Sequence, residues 1–284
     1  MADAFEMPAA RDFGWKLKTT ETTRFEIIER DNGQFCAVLN HSCVRGVTSE
    51  MIAWWFQNFA NLTVTLDDTP GYEGARVPAY LLWHPSDHCN ATLSGSLAPG
   101  GTAKAGAKIH IQEAMQIDTY GLKYPVNTAL NIFYCAGDGW AMGKAIPILG
   151  KAMCLRIHFA DVVTDGDIAG VHYHYEVVIG VSGNNPIARA LNKKIAADYS
   201  PEFFSAWHLH NAIEVGTFEN FLPALYAQRE STAGLRYKRA MDLMSDRVET
   251  QFAQDAELFT ERVAGFKAAD DPYAYQAPQK RSFL

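Results

Sequence analysis

Val162-Val163-Thr164-Asp165-Gly166-Asp167-Ile168 decides how this chain is read. Asp165-Gly166 is a two-residue turn signal, because both residues tolerate the positive φ that a tight hairpin turn needs. Residues 153–163 and 168–181 flank it and read as two long antiparallel strands. If Thr164 faces Asp167, counting outward places His158 directly opposite Tyr173. Opposed residues project to one sheet face with Cβ atoms roughly 5 Å apart. His172 and His174 then fall on the face opposite Tyr173 and Tyr175.

Working outward, residues 107–118 and 126–136 read as further strands, and Asp31-Asn32-Gly33 joins two more, Phe25–Arg30 and Gln34–Leu39, in a hairpin. Thr48 or Ser49 caps a helix running through Met51, Trp54, Trp55, Phe56 and Phe59. A loop through Pro70-Gly71 leads to a short strand ending at Pro85, on which Tyr80, Leu82 and His84 share a face. Asn185-Pro186 and Ser200-Pro201 each open a helix, with proline at its favoured first position, and the second is expected to bend or stop near Gly216 or Pro223. An amphipathic pattern predicts a long helix over 235–266. Strands fill the middle and helices the last third, which predicts an α+β fold: a curved antiparallel sheet covered by helices on one side. The expected organisation is a loosely structured segment 1–22, one catalytic domain 23–266 and a tail 267–284.

The 284 residues are 48% hydrophobic, enough for a sizeable core. The net charge of −7 is dispersed, with no basic stripe, which argues against a nucleic-acid partner. No apolar run is long enough to span a bilayer and no signal peptide is evident, so no membrane partner is expected. Five scattered cysteines without CxxC spacing suit a reducing compartment, and a cytoplasmic location is expected.

The chemistry-bearing residues fall in four places. His210 and Glu214 stand i, i+4 on one helix face, whereas His208 points elsewhere. Glu113 shares the strand face of Ile109, Ile111, Met115 and Ile117, where a carboxylate is costly unless it is paired or bound to a cation. A metal competes there with a buried ion pair to Arg156. Tyr80-Leu81-Leu82-Trp83-His84-Pro85-Ser86-Asp87-His88 offers two histidines, one suited to a metal and one to a substrate. His158 and Tyr173 form a proton-capable pair if the hairpin count holds, in competition with an ordinary cross-strand aromatic pair. A His/Glu/His/Glu set suggests a hydrolytic zinc enzyme. No nucleotide-binding glycine motif and no GxSxG elbow is present.

Taken together, these pieces resemble the 2,4-diacetylphloroglucinol hydrolase and phloretin hydrolase family. The matching features are Trp54-Trp55-Phe56, Tyr80 through His88, Glu113, His158 with Tyr173, and His210-Asn211-Ala212-Ile213-Glu214-Val215-Gly216 followed by Phe218-Glu219-Asn220-Phe221-Leu222-Pro223. They span roughly residues 45–225. The resemblance implies a helix-grip (Bet v 1-like) sheet around a cavity, with an added helical part, and a homodimer. It implies one zinc ion held by His88, Glu113, His210 and Glu214, with His84 the alternative to His88. Tyr80, His158 and Tyr173 would be the substrate-contacting and proton-transfer residues, and His84 a further substrate contact. The implied reaction is hydrolysis of the carbon–carbon bond between an acyl group and a phloroglucinol-type ring, the partner being a small aromatic ketone. The alternatives are a metal hydrolase acting on another β-diketone, a structural metal protein, and a non-catalytic binder of flavonoid-like ligands.

Overall fold

The computed structural model describes residues 5–147 and 150–239. In chain order its elements are β1 (Thr23–Glu29), β2 (Phe35–His41), β3 (Val44–Arg45), α1 (Ser49–Asn58), β4 (Thr63–Asp67), β5 (Ala75–Pro78), α2 (Tyr80–Trp83), β6 (His88–Gly95), β7 (Ala107–Ala114), α3 (Ile117–Tyr120), β8 (Pro125–Ala136), β9 (Gly139–Ile146), β10 (Gly150–Thr164), β11 (Asp167–Ile179), α4 (Pro186–Ala196), α5 (Pro201–Ala227) and β12 (Leu235–Lys238).

The chain forms a mixed α+β fold. Its large curved antiparallel sheet runs β1-β2-β11-β10-β9-β8-β7-β6, with β3 added against β11. Asp165 and Gly166 both take positive φ, 53° and 90°, and Thr164 faces Asp167, as a tight hairpin turn requires. The count outward then slips. Val163 faces Ile168 but Val162 faces Gly170, so Ala169 is a bulged extra residue. The bulge sits where β3 joins: Gly170 pairs with Arg45, and the Gly46 N–H donates to the Ala169 carbonyl at 3.2 Å. Beyond it His158 pairs with His174, and Tyr173 pairs with Phe159. The expected His158–Tyr173 pair is therefore corrected: the two side chains project to opposite faces.

Alternation places Leu155, Ile157, Phe159, Tyr173 and Tyr175 on the buried inner face. On the other face Arg156 pairs with Glu176 at 2.5 Å, and His174 Nδ1 meets Asn40 at 2.7 Å. Arg156 is thus engaged away from Glu113.

Helix α1 is capped by Thr48, α4 by Asn185 and α5 by Ser200, each side chain accepting a backbone N–H of the first turn. Helix α5 packs against α1, α2, β2, β3 and β12. It passes Gly216 and Pro223 without ending. At Gly216 a Cβ would lie 2.8 Å from Lys18 Cδ and Cγ, so glycine there makes room for a crossing side chain. That lysine goes on to bond Glu219 Oε1 at 2.5 Å. Aromatic rings fill the interior around the helix: Trp55 lies 5.0 Å from Phe221, and Trp83 lies 5.4 Å from Phe218. Each such ring, once buried, is worth about 1.5–3 kcal/mol.

Two further expectations are corrected. Tyr80–Trp83 is a helical turn rather than a strand: the Leu82 N–H returns to the Ala79 carbonyl at 2.9 Å, and all four side chains are buried. Leu235–Lys238 is a strand parallel to β4 rather than the start of a helix, held by Arg236 in a two-bond pairing with Asp67. The rest of the expected 235–266 helix and the 267–284 tail lie outside the described residues.

Residues 6–19 have no regular structure, as expected, yet Arg11, Phe13 and Lys18 are buried. Phe13 and Trp15 pack with Tyr237, Trp15 donates to the Tyr237 hydroxyl at 2.8 Å, and Arg239 pairs with Asp12 at 2.9 Å.

Candidate metal centre

His88 opens β6 and pairs across the ladder with Glu113 near the end of β7. Helix α5 brings His210 and Glu214 over this corner. His88 Nε2 lies 3.5 Å from Glu113 Oε2 and 3.4 Å from Glu214 Oε2, and His210 Nε2 lies 3.8 Å from Glu214 Oε2. The structure thus brings together all four residues of the expected ligand set. Around a tetrahedral ion with bonds of about 2.0–2.2 Å, donor atoms sit roughly 3.3–3.6 Å apart. The two His88 spacings fall in that range, and the His210–Glu214 spacing is slightly longer.

The partners of each ring fix its tautomer. His88 Nδ1 faces the Tyr80 carbonyl at 3.1 Å, so Nδ1–H donates and Nε2 presents a lone pair. That Nε2 is buried and has no hydrogen-bond partner. His210 Nδ1–H likewise donates to Asp87 Oδ2 at 2.8 Å, which turns its Nε2 to the centre. Such a carboxylate–histidine pair is how proteins orient a metal-ligating imidazole. The carboxylates are also held: Tyr80 Oη donates to Glu113 Oε2 at 2.5 Å, and Asn211 Nδ2 to Glu214 Oε1 at 2.5 Å. Asn211 in turn accepts from His41 Nε2 at 2.9 Å.

Burial raises the pKa of Glu113, and raises Glu214 to about 8 with the Glu113 charge adding to it. Burial and the charge of His210 hold His88 well below its ordinary value. Burial also pulls His210 down, but the Asp87 hydrogen bond and the Glu214 charge outweigh it and lift it to about 9. Two carboxylates sharing a dry corner are costly as anions, and a divalent cation among them removes that cost.

A second cluster, His84, Asp87 and His210, also has its donor atoms within 4.8 Å of one another. Most of its atoms are already engaged, although His84 Nε2 makes no hydrogen bond. Asp87 accepts from the backbone N–H groups of Gln116 at 2.8 Å and Ile117 at 2.9 Å, besides His210. His84 Nδ1 accepts from the N–H groups of Ser86 and Asp87, so its protonated Nε2 faces Asp87 Oδ2 at 3.3 Å. Asp87 serves as the outer orienter of His210, and His84 stands behind it, stacked 4.7 Å from the His210 ring.

A cavity of about 450 Å³ opens beside the cluster. Glu113, His210, Glu214 and Tyr80 line one part of it, and Phe56, Trp83, Trp140 and Tyr175 contribute to its aromatic wall. The structure does not bring His84, His158 or Tyr173 to that wall. His158 is on the opposite sheet face. Tyr173 is buried edge-on against His41, 5.4 Å away, with its hydroxyl unpartnered. Tyr175, two residues on and on the same face, reaches the cavity. Its oxygen accepts a hydrogen bond from the Trp207 side chain, and burial together with the charges of Glu214 and Glu113 keeps its hydroxyl protonated.

No protein-family model matches this chain, and the search of curated proteins gives no match. Among solved structures, the chain is similar to a Staphylococcus aureus protein of unknown function, SA2116, at 9% identity and a TM-score of 0.32. The match covers 69% of this chain and 96% of that one, and a likeness this slight carries no argument.

Sequence reasoning missed Asp87, Tyr175, Asn211 and His41. Tyr175 was within reach, because strand alternation puts it on the face of Tyr173. Asp87 read only as a turn residue, since nothing local shows that a helix more than a hundred residues later will meet it.

Proposed function

We propose that this chain is a zinc-dependent hydrolase that cleaves the carbon–carbon bond between an acyl group and a phloroglucinol-type ring, releasing a carboxylic acid. The observation that carries the reading is the convergence of His88 Nε2, His210 Nε2, Glu113 and Glu214, linked at 3.4–3.8 Å, with Glu113, His210 and Glu214 on the wall of an aromatic cavity. Aryl ketones do not lose an acyl group to water as such, because the leaving group would be an aryl carbanion. A polyhydroxylated ring in its keto form behaves as a β-diketone, and its leaving group is a stabilised enolate. The balanced reaction adds water across the bond: hydroxyl to the acyl carbon, proton to the ring carbon. Helix-grip is the finer fold reading that goes with this function, supported by a long helix facing a curved sheet across a cavity.

His88, Glu113, His210 and Glu214 would hold the ion, which when bound lowers the pKa of water toward about 7 and polarises a carbonyl. Tyr80 holds a proton between its oxygen and Glu113 Oε2 and fixes that carboxylate. Tyr175, with its oxygen bonded by Trp207, has its own proton to donate to a ring oxygen or the ring carbon. Phe56, Trp83 and Trp140 sequester an aromatic ring from water.

A second reading is a binder of flavonoid-like ligands without chemistry, favoured by the aromatic wall alone. Metal content and turnover separate the two. Protein purified without added metal should carry about one equivalent of zinc and release acid from phloretin or from mono- or diacetylphloroglucinol. Less than about half an equivalent, with chelators leaving any activity unchanged, overturns the metal reading. Metal without acid release from any acylphloroglucinol leaves another β-diketone as the substrate class. The reading also assigns the protein to the cytoplasm. No helix among the described residues is long and apolar enough to cross a membrane.

A further inference from the structure

Three of the five carbonyls between His84 and His88 are taken by one residue from the N-terminal segment. The Arg11 guanidinium donates from Nη2 to the His84 carbonyl at 2.6 Å and the His88 carbonyl at 3.3 Å, and the Arg11 backbone N–H donates to the Pro85 carbonyl at 2.9 Å. Arg11 is only 3% exposed. A buried guanidinium is costly without compensating partners. Burial lowers its pKa against the opposing pull of Tyr72 and Asp87, and its Nε has no hydrogen-bond partner, while carbonyls take both terminal nitrogens.

The turn it grips is the one on which the proposed centre depends. His88 supplies a ligand, Asp87 orients His210, and His84 backs Asp87. Its Nη2 group alone donates to both ends of this turn while Nη1 holds the Ala9 carbonyl at 3.1 Å, so one rigid guanidinium plane ties the N-terminal segment to both ends, which an ammonium on a flexible stem does less well. Arg11 is itself held. Tyr72 Oη donates to the Ala9 carbonyl at 2.7 Å, and Lys18 reaches Glu219 through the gap left by Gly216.

We propose that Arg11 is a positioning residue for the metal centre, and that the irregular N-terminal segment is a working part of that centre because it carries this guanidinium to the back of the His84–His88 turn. The inference rests on the proposed metal site but not on its substrate.

The test compares zinc affinity, by competition with a chromophoric chelator, in the wild-type chain, Arg11→Met, Arg11→Lys and Asp12→Ala. The visible spectrum of the cobalt-loaded proteins and the melting of the metal-free forms are read alongside. Arg11→Met is expected to bind zinc about 10–100-fold more weakly and to alter the cobalt spectrum, the range typical for losing an outer partner of a metal site. Arg11→Lys should recover part of the affinity, and Asp12→Ala should stay near wild type. Arg11→Met binding within about twofold of wild type, with an unchanged cobalt spectrum, overturns the proposal. If Arg11→Met fails to fold, Arg11→Lys decides: affinity and spectrum equal to wild type overturn it. A wild-type protein that binds no metal overturns the metal centre itself, a separate and visible failure that removes this role too.

Discussion

Asp87 Oδ2 and His210 Nδ1 lie 2.8 Å apart, both buried, although one belongs to the turn before β6 and the other to α5. This contact fixes which imidazole nitrogen faces Glu113 and Glu214. Asp87→Asn keeps the size of the side chain but weakens the acceptor. It is expected to lower zinc affinity about 10–100-fold while leaving secondary structure intact. Chelator competition on the folded variant checks this, and affinity equal to wild type would detach Asp87 from the centre.

Tyr175 and His158 should separate cleanly in turnover. Tyr175 lines the cavity, whereas His158 is on the other sheet face. Tyr175→Phe is expected to lower acid release from an acylphloroglucinol by about 10²-fold or more, the scale of a lost proton donor. His158→Ala should keep activity within a few-fold. The opposite ranking would restore the uninterrupted hairpin count and refute the bulge at Ala169.

His41 links stability to pH. Burial holds it down to about 3 in the folded chain, against an ordinary value of 6.5, so it stays neutral and donates to Asn211. Between those values the unfolded chain binds a proton that the folded chain refuses. Its stabilising contribution is therefore complete above about pH 6.5 and is lost as pH falls, at up to about 1.4 kcal/mol per pH unit. His41→Gln keeps an N–H donor without titrating. Urea unfolding at pH 7 and pH 5 should show a smaller loss for the variant, and equal losses would exclude a neutral buried His41.

Gly216→Ala tests the seat of Lys18. The added Cβ would meet the lysine stem at 2.8–2.9 Å. Overpacking typically costs about 1–3 kcal/mol, offset by up to about 1 kcal/mol of better helix propensity. A net loss is expected in the wild-type background and none in a Lys18→Ala background. Thermal melts of the four proteins give the coupling, and additive effects would mean that the lysine does not use this gap.

What the sequence makes legible is what local chemistry decides. The Asp165-Gly166 turn, the Thr48, Asn185 and Ser200 caps and the His210/Glu214 spacing each depend on a few adjacent residues, and each stands as read. The convergence of His88 and Glu113 with that helix is in line with the expected ligand set, which came from family resemblance rather than from local pattern. The failures are non-local. The bulge at Ala169 depends on Gly46 arriving from a separate strand, and β12 depends on Asp67. The place of Arg11 is not legible locally, because its carbonyl partners lie more than seventy residues away.

The sheet ends on one side at β1, whose outer rim carries Ile27 and Ile28 about half exposed. No strand among the described residues pairs with that rim, and an unpaired edge of that kind is a template on which a second chain can add strand by strand. Glu26 and Glu29 bracket the two isoleucines, with Arg24 at the start of the strand. Stacking a second copy in register would bring like acidic charges together, and such repulsion opposes edge-to-edge pairing.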